Sequence, residues 1–444
     1  MKNVIVSTEP LHRKDFLDEL LASEEFTEYW TLQLAKLLRL RVPKAANAAG
    51  AEAYHGWLSE QIREGVGYDQ IAKQLLLASG DTHEVGPANF YRSVDGAREQ
   101  AELVSELFMG SRLRCANCHN HPLDRWTQDD YHGLAAIFAK LETREVVSIN
   151  PRGKVIHPRT LEAAIAKIPG EAEFLRPDAK ADAAEDIRGA LVDWLVDKDN
   201  PYFAKAIVNR LWKSMMGRGL VEPADDFRAT NPATHPRLLD KLAEDFVAHG
   251  YSIRHTLGRI ANSATYARSA NATLENKDDD RFYSHRIRES LEPEVLADAI
   301  SDVLGVHEEY GSQPKGTRAV ALVNPKTPST SLDVLGRCGR EGSCESAPVA
   351  GGLPQKLHLL NGDLLNARIR TPAGRLQRLL ATEKSALEIV EEFYLVGLGR
   401  KPTKIEESFW AQKLEGLKTI EEQGAFLEDF VWGLLTSTEF VTNH

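Results

Sequence analysis

Two cysteines and a histidine lie within five consecutive residues, Cys115-Ala116-Asn117-Cys118-His119. The spacing of three places both thiols on one face of a helical turn, and the imidazole follows directly. Proteins use this pattern to attach haem c, because the two thiols add to the two vinyl groups and the histidine binds the iron. The motif therefore predicts one covalent haem c per chain, held by Cys115 and Cys118, with His119 as its proximal ligand.

A structural zinc site is an alternative interpretation of the same motif. Zinc usually binds four nitrogen or sulfur ligands, and Cys115, Cys118 and either His119 or His121 would supply three of them. The chain has no second Cys-x-x-Cys pair, so the fourth ligand would come from a distant residue. The candidates for it are His132 and His157. A redox-inert or disulfide-bonded pair is the third interpretation, since the strand context of a thioredoxin-like site is not predicted here.

Two residues shortly after the motif are candidates for contact with a haem. Arg125 can pair bidentately with a propionate, and Trp126 can pack against the edge of the macrocycle. A buried tryptophan beside a surface ion pair explains the same two residues equally well. No sixth iron ligand is predicted, because His121 follows the motif too closely and Met215-Met216 is more typical of core packing.

Two adjacent carboxylates, Asp225 and Asp226, suggest a different chemistry. A pair of carboxylates is the acid and base of a polysaccharide hydrolase. Neighbouring acidic residues more often form helix caps or salt bridges, which is the alternative interpretation.

The second cysteine pair, Cys338 and Cys344, lies in a glycine-rich segment. A loop disulfide in an exported protein is its simplest explanation. The alternative is a site in which Arg337, Arg340 and Glu345 line a pocket that faces the first domain.

The composition limits the class of protein and its partners. The chain has 444 residues, of which 42% are apolar and 27% charged, as in globular proteins of two or three domains. The 54 basic and 65 acidic residues give a net charge of −11, which argues against nucleic acid or an anionic membrane as the main partner. No run of about 18 apolar residues occurs, so no membrane span is predicted.

Helical periodicity dominates the chain and predicts a mostly α fold of two helical domains. The sequence Thr127-Gln128-Asp129-Asp130 predicts the capped start of one of these helices, which continues through Leu134, Ala135 and Phe138. A β-hairpin is predicted from Val146–Ile149, a turn at 150–153 and a second strand at 154–156. A boundary near 168–182, rich in Pro, Ala and charge, divides the chain into domains 1–170 and 182–444. The stretch 306–352 is predicted to be a long irregular loop region, and a helix is expected at 353–367.

Several motifs in order make the family recognisable. The segment 108–131 resembles the core motif of the planctomycete cytochrome c-like domain. Segments after the predicted boundary are similar to the domain of unknown function that follows it in those proteins: 200–203, 209–212, 216–223, 225–228, 262–266, 316–319, 336–337, 344–345, 357–362 and 399–403. The resemblance covers the chain from about residue 15 to its end. It implies haem c at the motif and electron transfer or haem-dependent oxidoreduction, with a redox partner or small-molecule substrate that the sequence does not identify.

The resemblance also implies a periplasmic or otherwise exported protein. Residues 1–6 turn polar at Ser7-Thr8-Glu9, so no secretory signal is predicted in this chain. Since relatives of this type carry a signal and further domains in front, we expect this chain to be an N-terminally shortened form. A single haem motif in 444 residues leaves the helices after residue 182 for a catalytic or partner-binding role.

Overall fold

Helices make up most of the regular structure, which confirms the predicted mostly α class with a small β element. The structure is a computed structural model that describes residues 10–42, 47–175, 186–340, 344 and 365–443. The chain forms two compact units. We call residues 20–287 with 340–345 the motif unit, and residues 1–19, 288–339 and 346–444 the C-terminal unit. Among the described residues, every helix is too short or too polar to traverse the hydrocarbon core of a bilayer.

The motif unit is built from helices that follow one another closely. After α1 (Pro10–Leu21), which runs across the boundary at residue 20, come α2 (Glu24–Leu37), α3 (Ala48–Arg63), α4 (Tyr68–Leu77), α5 (Gly96–Val104), α6 (Gln128–Phe138), α7 (Arg188–Leu195), α8 (Phe203–Met216), α9 (Pro236–Ala248) and α10 (Ile253–Ala261). A single π turn, Ser105–Met109, extends α5, and 3-10 helices form at Gly86–Arg92 and Leu113–Asn117. The predicted start of α6 is confirmed: Thr127 and Asp130 form a capping box at its N-terminus.

Three short strands form an antiparallel sheet in the order β1 (Gly80–Asp81), β3 (Val146–Ile149), β2 (Leu141–Thr143). The predicted strand at 146–149 is confirmed, but its partner strand is wrong: β3 pairs with the residues before it, with Leu141 opposite Ile149, and with β1. The turn at 150–153 does form, and the Gly153 N–H donates to the Asn150 carbonyl at 3.0 Å. A Cβ on Gly153 would lie 2.0 Å from the Ala139 carbonyl oxygen, so the chain leaves the turn across the end of α6 rather than back along β3.

Both sides of the 168–182 segment lie in the motif unit, and the division into domains 1–170 and 182–444 stays a prediction. Arg188, at the start of α7, explains why the chain continues in the same unit. Its side chain is buried, donates to the Ala78 carbonyl at 2.9 Å and lies over the Tyr91 ring. The same guanidinium pairs with Asp186, so its charge is compensated where it is buried.

The C-terminal unit is a separate helical bundle with its own apolar core. Its helices are α11 (Pro293–Leu304), α12 (Thr330–Leu335), α13 (Asn366–Ile369), α14 (Arg375–Leu380), α15 (Ala386–Leu398), α16 (Lys404–Glu415), α17 (Ile420–Leu435) and α18 (Thr438–Val441), with β4 (Glu289–Ser290) paired to β5 (Thr442–Asn443). Three of these helices begin with capping boxes, at Ser385, Thr403 and Thr419. Side chains from α11, α15 and α17 meet in the core.

The predicted irregular stretch 306–352 is held in part by one buried carboxylate. Asp298 on α11 accepts hydrogen bonds from the backbone N–H groups of Ala319 and Val320, at 2.7 and 3.0 Å. Burial raises the pKa of Asp298, and these two hydrogen bonds oppose that effect. Most of the predicted helix at 353–367 lies outside the described residues.

The close approach at Gly153 predicts opposite effects for two glycine-to-alanine substitutions. Gly153→Ala would place a methyl group against the Ala139 backbone and should lower the unfolding free energy by about 1–3 kcal/mol. Gly56→Ala is the matched control, because Gly56 lies exposed within α3 with open space around it. It should raise the unfolding free energy by about 0.5–1 kcal/mol. Urea denaturation followed by circular dichroism measures both, and a shift of both midpoints in the same direction contradicts the prediction.

Candidate functional site

The two thiols of the predicted motif lie on and just after a short helix. Cys115 is within the 3-10 helix Leu113–Asn117, and Cys118 directly follows it. Residues three apart eclipse one another in a 3-10 helix, so the one-sided turn expected from the spacing forms in this tighter geometry. Both side chains are exposed and both thiols are free. The motif therefore presents two cysteine side chains to solvent that are not bonded to each other.

His119 is exposed, and one of its ring nitrogens has a defined role. Its Nδ1 lies 2.8 Å from the Asn120 carbonyl oxygen. A carbonyl oxygen only accepts hydrogen bonds, so Nδ1 carries the proton and donates it. The lone pair of Nε2 is then free for a metal, which is the tautomer that a histidine ligand to iron requires. The donor set of Cys115, Cys118 and His119 thus fits a haem c.

His121 has a local structural role. Its backbone N–H donates to the Trp126 carbonyl at 2.8 Å, and its Nδ1 accepts from the Leu123 N–H at 3.2 Å. These two bonds close the loop that follows the motif. The methionines Met109 and Met216 are buried, in keeping with the core-packing interpretation.

Residues of helix α6 form hydrogen bonds with the motif. The Asn117 carbonyl, which lies between the two cysteines, accepts from His132 Nε2 at 3.0 Å and from Gln128 Nε2 at 3.4 Å. The Asn120 side-chain oxygen accepts from the Gln128 N–H at 3.1 Å. Gln128 and His132 are one helical turn apart on α6, so both reach the same side. The sequence analysis did not predict this role. The signal available for it was the spacing of four between Gln128 and His132, directly after the helix cap, which places both side chains on one face of α6.

The two histidines proposed as a distant zinc ligand face each other. The rings of His132 and His157 have centroids 4.7 Å apart, and His157 Nε2 lies 3.1 Å from an Asp129 carboxylate oxygen. His132 is fully buried, and burial lowers its pKa although the hydrogen bond to Asn117 opposes this. Since its Nε2 donates to a carbonyl, the remaining Nδ1 is unprotonated, buried and without a hydrogen-bond partner.

Arg125 and Trp126 form a stack with a residue that sequence analysis did not single out for the site. The Arg125 guanidinium lies 4.7 Å from the centroid of Trp126 and 5.5 Å from that of Tyr202, and donates to the Tyr202 hydroxyl. Trp126 is buried and packs against Tyr202 with centroids 5.8 Å apart. Gly170 is needed beside them, because a Cβ there would lie 2.6 Å from the Arg125 guanidinium. Contact of Arg125 and Trp126 with haem stays a prediction.

The segment before the motif is tied to residues 225–228. Gly110 adopts a left-handed conformation, with φ of 62°, and its carbonyl accepts from the Phe227 N–H at 2.8 Å. A Cβ at Gly110 would lie 2.6 Å from the Phe227 ring, so only glycine fits there. Arg112 donates two bonds to Asp225, at 2.9 and 2.6 Å.

The predicted carboxylate pair is divided between two counter-ions. Asp225 pairs with Arg112, while Asp226 pairs with Arg228 at 3.1 Å. Each aspartate therefore has its own arginine, and this geometry favours the salt-bridge interpretation over an acid–base pair. Cys338 and Cys344 are disulfide-bonded, which agrees with the simplest interpretation of that segment.

Two family models match the chain. PSD1, described as a protein of unknown function (DUF1553), matches residues 187–414, slightly more than half of the chain. PSCyt2, described as a protein of unknown function (DUF1549), matches residues 2–143, which include the motif. The order of the two matches confirms the predicted pairing of these segments. No curated protein and no solved structure matches the chain.

The buried carboxylate of Asp130 predicts a specific pH dependence. Burial disfavours its ionised form, but hydrogen bonds from Lys167, Thr127 and Gly170 outweigh burial and hold the pKa of Asp130 below its usual value. Because the pKa is lowered on folding, this stabilisation is complete above the unfolded aspartate pKa of about 3.9 and is lost as the pH falls through the folded value. Asp130→Asn should lose about 3 kcal/mol of unfolding free energy at pH 7, since it leaves Lys167 buried without its partner.

Denaturant unfolding from pH 7 to pH 2 measures this effect. The unfolding free energy of the wild type should decrease more steeply below pH 4 than that of Asp130→Asn. Asp280→Asn is the control, because Asp280 is exposed, and it should keep the wild-type slope. Equal slopes for Asp130→Asn and the wild type would show that Asp130 contributes nothing to the acid transition.

Proposed function

Because the chain belongs to the PSD1 family of unknown function (DUF1553), its activity has to be argued from its own residues, and we propose that it binds haem c. One haem would be attached through Cys115 and Cys118, with His119 as the proximal ligand. When bound, the haem supplies one-electron chemistry, for electron transfer or haem-dependent oxidoreduction outside the cytoplasm. The observation that carries the proposal is the His119 hydrogen bond to the Asn120 carbonyl, which leaves Nε2 free for iron.

The state of the two thiols supports covalent attachment. Both are exposed and are not bonded to each other, so each would be able to add across one vinyl double bond of a haem. In that addition the sulfur bonds to one vinyl carbon and the thiol proton goes to the other, so the reaction needs no oxidant. The hydrogen bonds from α6 to Asn117 and Asn120 hold the backbone on both sides of Cys118. The protein would thus fix the positions of its ligands before the haem arrives.

Arg125 and Trp126 belong to the proposal as haem contacts. The Arg125 side chain is exposed and is held on the faces of two aromatic rings. Stacking of this kind keeps the guanidinium in one place while its edge can donate hydrogen bonds to a carboxylate. A haem propionate is the carboxylate that the proposal assigns to it.

The disulfide supports a location outside the cytoplasm. Cys338 and Cys344 are disulfide-bonded, and such bonds persist in oxidising compartments such as the periplasm. Covalent haem attachment takes place outside the cytoplasm as well, so the disulfide and the motif point to the same compartment.

The positions of His132 and His157, the two candidates for the fourth zinc ligand, make zinc at the motif less favoured than haem. Nε2 of His132 donates to the Asn117 carbonyl, and His157 faces Asp129. To bind zinc at the motif, His157 would have to leave Asp129, and His132 would have to give up its Nε2 contact or bind through its buried Nδ1. Zinc therefore remains the second candidate, and the same experiment distinguishes it from haem.

The test of haem attachment is a reduced pyridine-haemochrome spectrum with an intact mass. The full chain is expressed behind an added signal peptide, together with the periplasmic haem-attachment machinery. We expect a c-type α-band and a mass increased by one haem. Replacing one cysteine, as in Cys115→Ser, should shift the α-band to that of a single thioether, and replacing both should abolish covalent haem. A protein with no covalent haem, and with zinc found by elemental analysis, would overturn the proposal.

Two histidine variants separate ligation from loop structure. His119→Gln should lose the axial ligand, which changes the ferrous and ferric spectra. His121→Gln is the matched control, since His121 takes part only in the hydrogen bonds of its loop, and its spectra should match those of the wild type. If both variants, or neither, change the spectra, His119 does not have the assigned role.

The location can be tested through the second cysteine pair. Protein isolated from the periplasm under thiol-blocking conditions should give a peptide in which Cys338 is linked to Cys344. Cys115 and Cys118 should be either haem-bound or alkylated. Non-reducing peptide mapping by mass spectrometry makes this measurement. Alkylation of Cys338 and Cys344 as free thiols would contradict the oxidising location.

A further inference from the structure

Three side chains with metal-binding chemistry meet at the corner between α9 and α10, away from the cysteine motif in sequence. Asp245 lies in the last turn of α9, His249 is the C-cap of that helix, and His255 lies in the first turn of α10. Asp245 and His249 are four residues apart, so they share one helix face. Gly250 and Tyr251 have φ of 65° and 56°, and this left-handed pair reverses the chain so that His255 returns over the same face.

The ligand atoms of the three residues are close together. The potential donor atoms all lie within 4.8 Å of one another. His255 Nε2 is 2.9 Å from Asp245 Oδ2, and His249 Nδ1 is 3.4 Å from Asp245 Oδ1. The two imidazole rings stack with centroids 3.8 Å apart and 13° between their planes. Two ring nitrogens thus approach the two oxygens of one carboxylate.

We propose that Asp245, His249 and His255 form a binding site for a divalent transition metal ion of the Zn²⁺ class. Two imidazoles and one carboxylate are a common ligand set for such ions, and they leave a coordination position open for water. Bonds of about 2.0–2.1 Å in a tetrahedral site place the ligand atoms about 3.4 Å apart. The two nitrogen–oxygen distances at Asp245, 2.9 and 3.4 Å, lie close to that value, and rotation of one imidazole out of the stack would complete the set.

A bound metal ion would replace the hydrogen bonds that otherwise connect Asp245, His249 and His255. In the metal-free arrangement His249 Nδ1 donates to the Asp245 backbone carbonyl at 2.8 Å, and His255 Nε2 approaches the Asp245 carboxylate. Binding through these atoms requires each neutral imidazole to carry its single proton on the other ring nitrogen, so both histidines change tautomer and no proton is lost. Arg259 is a competing cation, because its Nε lies 4.0 Å from the same carboxylate. Its side chain is two-thirds exposed, so it can turn away into solvent.

The backbone that carries the ligands is fixed by buried contacts. Tyr251 is buried, its ring packs edge-on against Phe246, and its hydroxyl donates to the Val196 carbonyl at 3.1 Å. The Ser252 hydroxyl caps α10 by accepting from the His255 N–H at 3.2 Å. The ligands therefore extend from two helix ends whose relative position is set, which favours binding over rearrangement. All three side chains are partly exposed, so an ion can reach them.

The first measurement is zinc binding to the full chain carrying Cys115→Ser and Cys118→Ser, which removes the motif as a competing thiolate site. Equilibrium dialysis with Zn²⁺ should give one bound ion per chain. Adding His255→Gln or Asp245→Asn should weaken binding by at least about tenfold, because each removes a ligand. His83→Gln is the matched control: His83 also faces a carboxylate, that of Glu145 at 3.8 Å, but has no second histidine, and binding should be unchanged.

A gain in affinity distinguishes the site from a merely structural role of these residues. Arg259→Gln removes the competing charge and should tighten zinc binding by up to about fivefold. Loss of binding in a ligand variant can follow from misfolding, whereas tighter binding cannot. Unchanged or weaker binding in Arg259→Gln would show that the ion does not reach the Asp245 carboxylate.

Cobalt(II) gives a spectroscopic readout that does not depend on the cysteine substitutions. In the wild-type chain, Co²⁺ at the proposed site should show visible d–d bands without thiolate-to-metal charge transfer, and His255→Gln should abolish them. Charge-transfer bands would report a second ion at the cysteines, which does not bear on the proposed site. Visible d–d bands that are unchanged in His255→Gln, or no bound zinc in the cysteine-free chain, overturn the proposal, and neither result bears on haem attachment.

Discussion

The surroundings of the motif depend on one buried carboxylate, that of Asp130. It accepts from Lys167 Nζ at 2.6 Å and from the Gly170 N–H at 3.0 Å, and it completes the cap of α6 with Thr127. A carboxylate removed from water is stable only when several donors compensate it, and here a cation, a backbone group and a hydroxyl do so together. The start of α6 is thereby fixed to the segment that ends at Gly170.

What α6 then positions is the backbone of the motif. Gln128 and His132 reach from the helix to the Asn117 carbonyl, and Gln128 also engages Asn120. The exposed residue Cys118 is thus held through hydrogen bonds to its neighbours Asn117 and Asn120 rather than through its own side chain. A shift of the start of α6 would move Gln128 and His132 away from the motif. The Asp130 carboxylate, which fixes the start of α6, therefore controls the position of the motif backbone without contacting the cysteines or His119.

Sequence alone predicted the parts of this arrangement that depend on local pattern. The α class follows from apolar periodicity, and the cap at 127–130 follows from residue types with a known geometry. The partner of β3 was not predictable, because it depends on whether the chain can turn back after 150–153. The approach of Gly153 to the Ala139 backbone, a tertiary contact, decides that question. Likewise, the boundary at 168–182 is evident in composition, but the buried contacts of Arg188 with Ala78 are not.

Tertiary contacts that the sequence does not show also decide which histidine can bind a metal at the motif. The sequence offers His119 as a ligand within the motif and His132 as a distant one, but spacing does not say which ring nitrogen of each is available. Both donate one ring N–H to a backbone carbonyl, so each has one unprotonated nitrogen. For His119 that nitrogen is Nε2 on an exposed ring, whereas for His132 it is Nδ1, buried against neighbours. A ligand needs a lone pair that an ion can reach. Of these two histidines, His119 has it, and His132 instead supports the backbone between the two thiols.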